Sequence, residues 1–97
     1  MSTFEFHHDA GHGWLKVHVY DAQDVGLNVE DFTGYSYYND QHLYLEEDVD
    51  AGRFLAAWQK ALRDFSIREV YDGCISPIRS YHHIIPAREI NWDEIPF

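Results

Sequence analysis

The sequence predicts an α+β domain: an antiparallel sheet of about five or six strands, with one main helix packed on one face and a short second helix. Three observations support this fold class. Short stretches of alternating apolar and polar residues recur along the chain, one longer stretch has helical periodicity, and the 16% aromatic content suffices for one core. We therefore expect residues 1–97 to form a single domain, with 86–97 as a C-terminal tail.

The first two strands are predicted from alternation of apolar and polar side chains. Residues 3–8 and residues 14–20 both alternate in this way, and two glycines lie between them. Asp21 follows the second strand and has a side chain suited to a helix N-cap. The sequence therefore predicts a short helix near 21–26.

The stretch "GYSYYNDQHLYLEE" predicts a hairpin. We expect a three-residue loop, Asn39 to Gln41, because it pairs Tyr37 with Leu43 and collects the apolar side chains on one face. In that register the apolar face consists of Tyr35, Tyr37, Leu43 and Leu45. Tyr38 and Tyr44 then share the outer face.

The main helix is predicted over about residues 50–65. Asp48 or Asp50 is expected to cap its start. The predicted buried stripe comprises Leu55, Trp58, Leu62 and Phe65.

Two further strands, 66–72 and 76–85, are predicted around the turn "DGCIS". The tail contains Trp92 and Phe97, which we expect to fold back or to contact a partner.

Charge limits the class of partner. The net charge is −10, and residues 1–50 contain eleven carboxylates against one basic side chain, Lys16, whereas residues 51–97 contain six of each. Such a surface repels the phosphates of nucleic acids and membranes and attracts basic proteins. A lone cysteine and the lack of a signal peptide or long apolar run predict a cytoplasmic protein.

The stretch "HHDAGHGW" contains three histidines and an aspartate. We interpret it as a structural turn in which Asp9 forms an Asx-turn, Gly11 and Gly13 adopt positive φ, and the side chain of His12 bonds the backbone. The alternative is a metal site built on His8 and His12, with His83 (or His42 or His82) as third ligand. We expect no metal, no other cofactor and no catalytic residue, since no nucleophile, phosphate-loop or dinucleotide motif occurs.

The densest acidic run is "LEEDVD". It has more carboxylates than a helix N-terminus needs, and tyrosines lie beside it, which is typical of a protein-binding surface. We therefore predict a partner-binding patch made of Asp24, Glu30, Asp31, Tyr38, Tyr44, Glu46, Glu47, Asp48 and Asp50.

Part of the chain resembles a group of small acidic accessory proteins of bacteriophages, plasmids and related mobile elements, mostly uncharacterised. The resemblance extends over residues 8–58. It rests on His8, Asp9, Gly11, His12, Gly13 and Trp14, then Ser36 and Tyr37, then Tyr44 to Asp48 with Asp50 and Ala51. The group brings no established activity, but it implies an inhibitor of host nucleic-acid-handling machinery, of anti-CRISPR or anti-restriction type.

The leading hypothesis is a non-enzymatic protein that binds a basic nucleic-acid-binding surface of a host defence or DNA-processing complex and blocks it, partly by nucleic-acid mimicry. Two alternatives remain open. One is a metal-dependent enzyme or metal sensor that uses His8 and His12, and the other is a homo-oligomeric structural module, such as a homodimer.

Overall fold

The fold is known from a computed structural model, which describes residues 2–84. The described chain forms one six-stranded sheet with the order β5-β1-β2-β4-β3-β6. Its elements are β1 (Ser2–His8), β2 (Gly13–His18), α1 (Val19–Asp24), a 3-10 turn (Val29–Asp31), β3 (Tyr37–Asn39), β4 (His42–Glu46), α2 (Asp50–Lys60), β5 (Phe65–Tyr71), a second 3-10 turn (Pro77–Ser80) and β6 (His82–His83). The predicted α+β class is confirmed.

The sheet is mixed rather than wholly antiparallel. Strand β5 runs parallel to β1, and the other neighbouring pairs are antiparallel. The reason lies in the connection through α2. The chain leaves β4, crosses the sheet in α2 and then enters β5. Strand β5 runs in the same direction as β4, which is also the direction of β1.

The predicted hairpin exists, but its register differs by one residue. Asn39 pairs with His42 and Tyr38 with Leu43, so the loop has two residues, Asp40 and Gln41. Asp40 adopts a positive φ of 59°, which a two-residue hairpin turn requires and which aspartate tolerates. A one-residue change in register moves side chains to the opposite face, so Tyr37 lies away from α2.

Helix α2 is shorter than the predicted 50–65. It ends at Lys60, and Leu62, which was predicted to be buried, is 94% exposed with φ 59°. Phe65 does pack against the core, but from β5. The cap prediction is also wrong, because the N-cap is Val49 and Asp50 is the first helical residue.

Helix α1 begins two residues before the predicted start. Its N-cap is His18, whose Nδ1 accepts the N–H of Tyr20 at 3.1 Å, and Asp21 lies inside the first turn. Gly26, with φ 84°, donates to the carbonyl of Gln23 just beyond the helix. This left-handed glycine ends the helix as a Schellman motif does.

Both faces of the sheet are covered. The main core lies under the helices and is built around Phe4, Leu15, Leu45, Phe54 and Trp58, all at most 4% exposed. A smaller core on the opposite face contains Trp14, Tyr44 and Ile78, with Tyr37 and Tyr81 packed against it. The sequence-based picture of helices on one face omitted this second core.

Within the segment predicted as strand 76–85, Ile78 and Tyr81 pack on the face of the sheet opposite the helices. Ser76 caps the 3-10 turn Pro77–Ser80 through a hydrogen bond from the N–H of Ile78, and among residues 76–84 only His82–His83 pair with the sheet. The predicted tail 86–97, with Trp92 and Phe97, lies outside the described residues. Within the described part of the chain, no helix has the length and apolar character needed to cross a membrane.

Candidate functional site: an aromatic cleft with an acidic rim

Two of the predicted partner-binding residues are buried. Tyr44 is 6% exposed and packs at 5.0 Å from Tyr81, and burial, followed by the interaction with Tyr81, raises the pKa of Tyr44 to about 12. The Asp50 side chain is inaccessible; its Oδ2 accepts hydrogen bonds from Thr33 N, Thr33 Oγ1 and Ser36 Oγ. Asp50 therefore holds the 33–36 segment on the helix and offers no charge to a partner.

Glu46 stabilises the start of α2 through hydrogen bonds. Its carboxylate accepts the backbone N–H groups of Asp48 at 2.8 Å, Val49 at 2.6 Å and Asp50 at 3.3 Å. These groups belong to the start of α2, so Glu46 performs the capping that the sequence assigned to Asp48 or Asp50.

The remaining residues of the predicted patch are spread over several elements. Asp24 lies in α1, at the opposite end of β2 from Gly13, with its carboxylate 3.8 Å from Arg63. Asp31 accepts the N–H of Asn28, and Glu30 is beside it in the 3-10 turn. Tyr38 is stacked on His82 in the neighbouring strand β6. Of the acids, Glu47 and Asp48 are exposed beside Glu46, and we call these three residues the acidic rim.

Glu46 and Asp48 of the acidic rim border a cleft of about 360 Å³ on the side of the sheet away from α2, whereas the Glu47 side chain lies beside Phe6 and His8. This volume is at the low end of the ~300–1,000 Å³ typical of ligand pockets, so it suits a side chain or small molecule. We call it the aromatic cleft. The lining includes Trp14, Tyr35, Tyr37, Glu46, Asp48 and Arg79, with His12 and His83 beside them.

An ion pair between the buried carboxylate of Asp9 and the partly exposed guanidinium of Arg79 supports the floor of the aromatic cleft. Arg79 donates from Nε to Asp9 Oδ2 at 2.6 Å and from Nη2 to Oδ1 at 3.0 Å, and its guanidinium lies 5.3 Å from the Trp14 ring. Arg79 and the backbone N–H groups of Ser76, His12 and Gly11 hold the pKa of Asp9 well below its usual value of 3.8. Asp9 in turn raises the pKa of Arg79.

Aromatic side chains form the walls. Tyr37 packs edge-to-face on Trp14 at 6.0 Å and lies 4.2 Å from the ring of His83, whose Nδ1 is 2.9 Å from the carbonyl oxygen of Gly34. Tyr35 precedes β3 and is 77% exposed. Contacts among Trp14, Tyr37 and His83 therefore hold the inner wall of the aromatic cleft in place, whereas the ring of Tyr35 is accessible to solvent.

The turn 9–13 is built by Asp9, as predicted for an Asx-turn, but the predicted glycine conformations are wrong. Asp9 Oδ1 accepts the backbone N–H groups of Gly11 and His12, both at 2.9 Å. Positive φ among the described glycines occurs at Gly26 and Gly73, not at Gly11 or Gly13. Gly13 is needed for space instead, because a Cβ there would overlap the ring of Phe6.

The histidines proposed as metal ligands do not converge. His8 is on β1 and His83 on β6, and β2, β4 and β3 separate these two strands. His8 packs between Phe6 and Tyr71. Within residues 2–84, no group of three or more His, Cys, Asp or Glu side chains has an arrangement that could hold a metal ion.

A polar network lies on the same face of the sheet as Trp14 and Tyr44, because His7 pairs with Trp14 and its ring lies 6.3 Å from that of Tyr44. His7 is hydrogen-bonded between Glu5 Oε1 at 3.0 Å and Asp72 at 3.1 Å, and Asp72 also accepts from Ser76 Oγ at 2.7 Å. Ser76 is 1% exposed. A hydroxyl buried to this degree is out of reach of a substrate.

Sequence reasoning missed Trp14, Tyr35, Tyr37 and Arg79 as site residues. Alternation in "WLKVH" does put Trp14 on the face opposite Leu15 and Val17, and this was the available signal. Arg79 gave no local signal, because its partner Asp9 is 70 residues away.

Comparison with protein-family models, with characterised proteins and with solved structures finds no match to this chain. The resemblance to accessory proteins of mobile elements therefore stays a prediction.

Proposed function

We propose that this protein is a non-enzymatic binding module that recognises a basic surface of a partner protein through the acidic rim and the aromatic cleft. The observation that carries the proposal is their adjacency: Glu46 and Asp48 line the same cleft as Trp14, Tyr35 and Tyr37. Protein interfaces combine aromatic anchors with a charged or polar rim, and carboxylates steer a basic partner into place.

The charge distribution supports the same class of partner. The net charge of −10 arises entirely within residues 1–50, and the exposed Glu47 and Asp48 of the acidic rim belong to that half. Basic protein surfaces commonly bind nucleic acid, so an acidic protein bound to such a surface would prevent nucleic acid from binding there. A phage or plasmid protein that inhibits a host defence or DNA-processing complex is the narrower form of the proposal, suggested by the resemblance alone.

The test is titration calorimetry with a synthetic peptide rich in arginine and lysine. The double variant Glu47→Lys/Asp48→Lys should bind at least about tenfold more weakly than the parent, because two attractions become repulsions. Glu46 stays unchanged in this variant, since its loss would uncap α2. Affinity of the parent should also fall with added salt, which screens exposed charges.

The matched control is Asp21→Lys/Asp24→Lys, which changes the net charge equally but in α1, at the other end of the sheet. We expect it to bind within about twofold to threefold of the parent at moderate salt. Equal weakening by both double variants would mean that net charge alone attracts the peptide, and the proposed site would be wrong.

A further inference from the structure

We propose that the aromatic cleft accepts one arginine side chain of the basic partner. This inference rests on the proposed function and specifies the residue that anchors the interface. Tyr35 presents a largely exposed ring at the mouth, Tyr37 forms the wall behind it, and Asp48 is an exposed carboxylate at the edge. A planar cation that stacks on a tyrosine and ends on a carboxylate fits these three groups together.

The charge balance of the cleft favours a cation. With histidine counted as neutral, the lining contains two carboxylates, Glu46 and Asp48, and one guanidinium, that of Arg79. Arg79 is already neutralised by the bidentate contact with Asp9. Glu46 is engaged with the first N–H groups of α2, so Asp48 is the carboxylate best placed to receive an incoming charge.

The choice of arginine over lysine follows from the shape and hydration of the two cations. Within the cleft, Arg79 already stacks over Trp14, and elsewhere Arg63 lies 4.9 Å from the Trp58 ring. A guanidinium is planar, weakly hydrated and able to reach a carboxylate with two N–H groups, whereas an ammonium is a strongly hydrated point charge. Stacking against Tyr35 and pairing with Asp48 therefore select the planar group.

The test is an NMR titration of the protein with N-acetyl-arginine amide, with the lysine and norleucine amides as comparisons. The arginine amide should shift the indole N–H resonance of Trp14 saturably and bind about fivefold more tightly than the lysine amide. Tyr35→Ala should abolish the difference between the two amides. Tyr20→Ala is the matched control, because Tyr20 is 60% exposed on α1, away from the cleft, and this variant should bind as the parent does.

Several results would overturn the inference. If the norleucine amide binds as tightly as the arginine amide, the cleft recognises apolar side chains. If the lysine amide binds more tightly than the arginine amide, the cleft recognises a compact point charge. If the basic peptide binds the parent but the arginine amide leaves the Trp14 resonance unmoved, the arginine anchor is wrong and the proposed function stands. If neither the peptide nor the amide binds, both are wrong.

Discussion

Asp9 joins two parts of the chain that are far apart in sequence. Its side chain is inaccessible to solvent and accepts hydrogen bonds from the turn after β1 and from the segment 76–79. The contacts of Asp9 within the turn could be predicted from the sequence, since an aspartate close to glycines favours an Asx-turn. The contact with Arg79 is not, because no local pattern encodes a partner 70 residues away.

Acid should weaken the fold through Asp9. The pKa of Asp9 is lower in the folded chain than its usual value of 3.8, chiefly because Arg79 donates to the carboxylate. The unfolded chain therefore binds more protons, so the contribution of Asp9 is complete above a pH of about 3.8 and is lost as the pH falls below it. Thermal unfolding followed from neutral pH to a pH of about 2 should show this loss.

The matched variant is Asp9→Asn. It should unfold at a lower temperature than the parent at neutral pH and lose less stability on acidification. An acid dependence identical to that of the parent would mean that Asp9 does not carry the effect.

At the scale of single elements, the end of α2 was the largest error of the sequence-based prediction. Leu62 donates to the carbonyl of Gln59, and Arg63 donates to that of Trp58, which is the Schellman pattern with leucine in place of the usual glycine. The apolar periodicity predicted a helix that continues through Leu62 and Phe65, because the sequence has no glycine where the helix ends. The true end is set by tertiary structure, since Phe65 has to enter β5 beside β1.

Leu62→Gly should therefore stabilise the protein by about 0.5–1 kcal/mol, because glycine relieves the cost of the left-handed conformation and an exposed leucine loses no packing. Urea unfolding measures the change. Leu62→Ala, which keeps a Cβ, should be nearly silent. A loss of about 2–5 kcal/mol in both variants would instead place Leu62 in the core.

At the scale of the whole molecule, the fold class was predictable and the topology was not. Alternation and one amphipathic helix imply a sheet with a helix on it, and Phe54 and Trp58 do face that sheet. The parallel pairing of β5 with β1 depends on where α2 delivers the chain. The second core depends on a one-residue hairpin register, which turns Tyr37 and Tyr44 together toward Trp14.

The same register explains why the site was only partly predicted. The acidic run "LEEDVD" contains the three residues of the acidic rim, but it did not reveal that Asp50 turns inward or that Glu46 caps α2. These roles depend on Ser36 and on the path of the backbone after β4, which local composition does not encode.

The proposed function places this protein on a basic surface that would otherwise hold nucleic acid. Its most direct test is the displacement of a fluorescein-labelled DNA duplex from the arginine- and lysine-rich peptide, followed by fluorescence polarisation. The parent and Asp21→Lys/Asp24→Lys should release the duplex as they bind the peptide, and Glu47→Lys/Asp48→Lys should not. If the parent saturates the peptide and the duplex stays bound, protein and DNA use different surfaces and the proposed function is wrong.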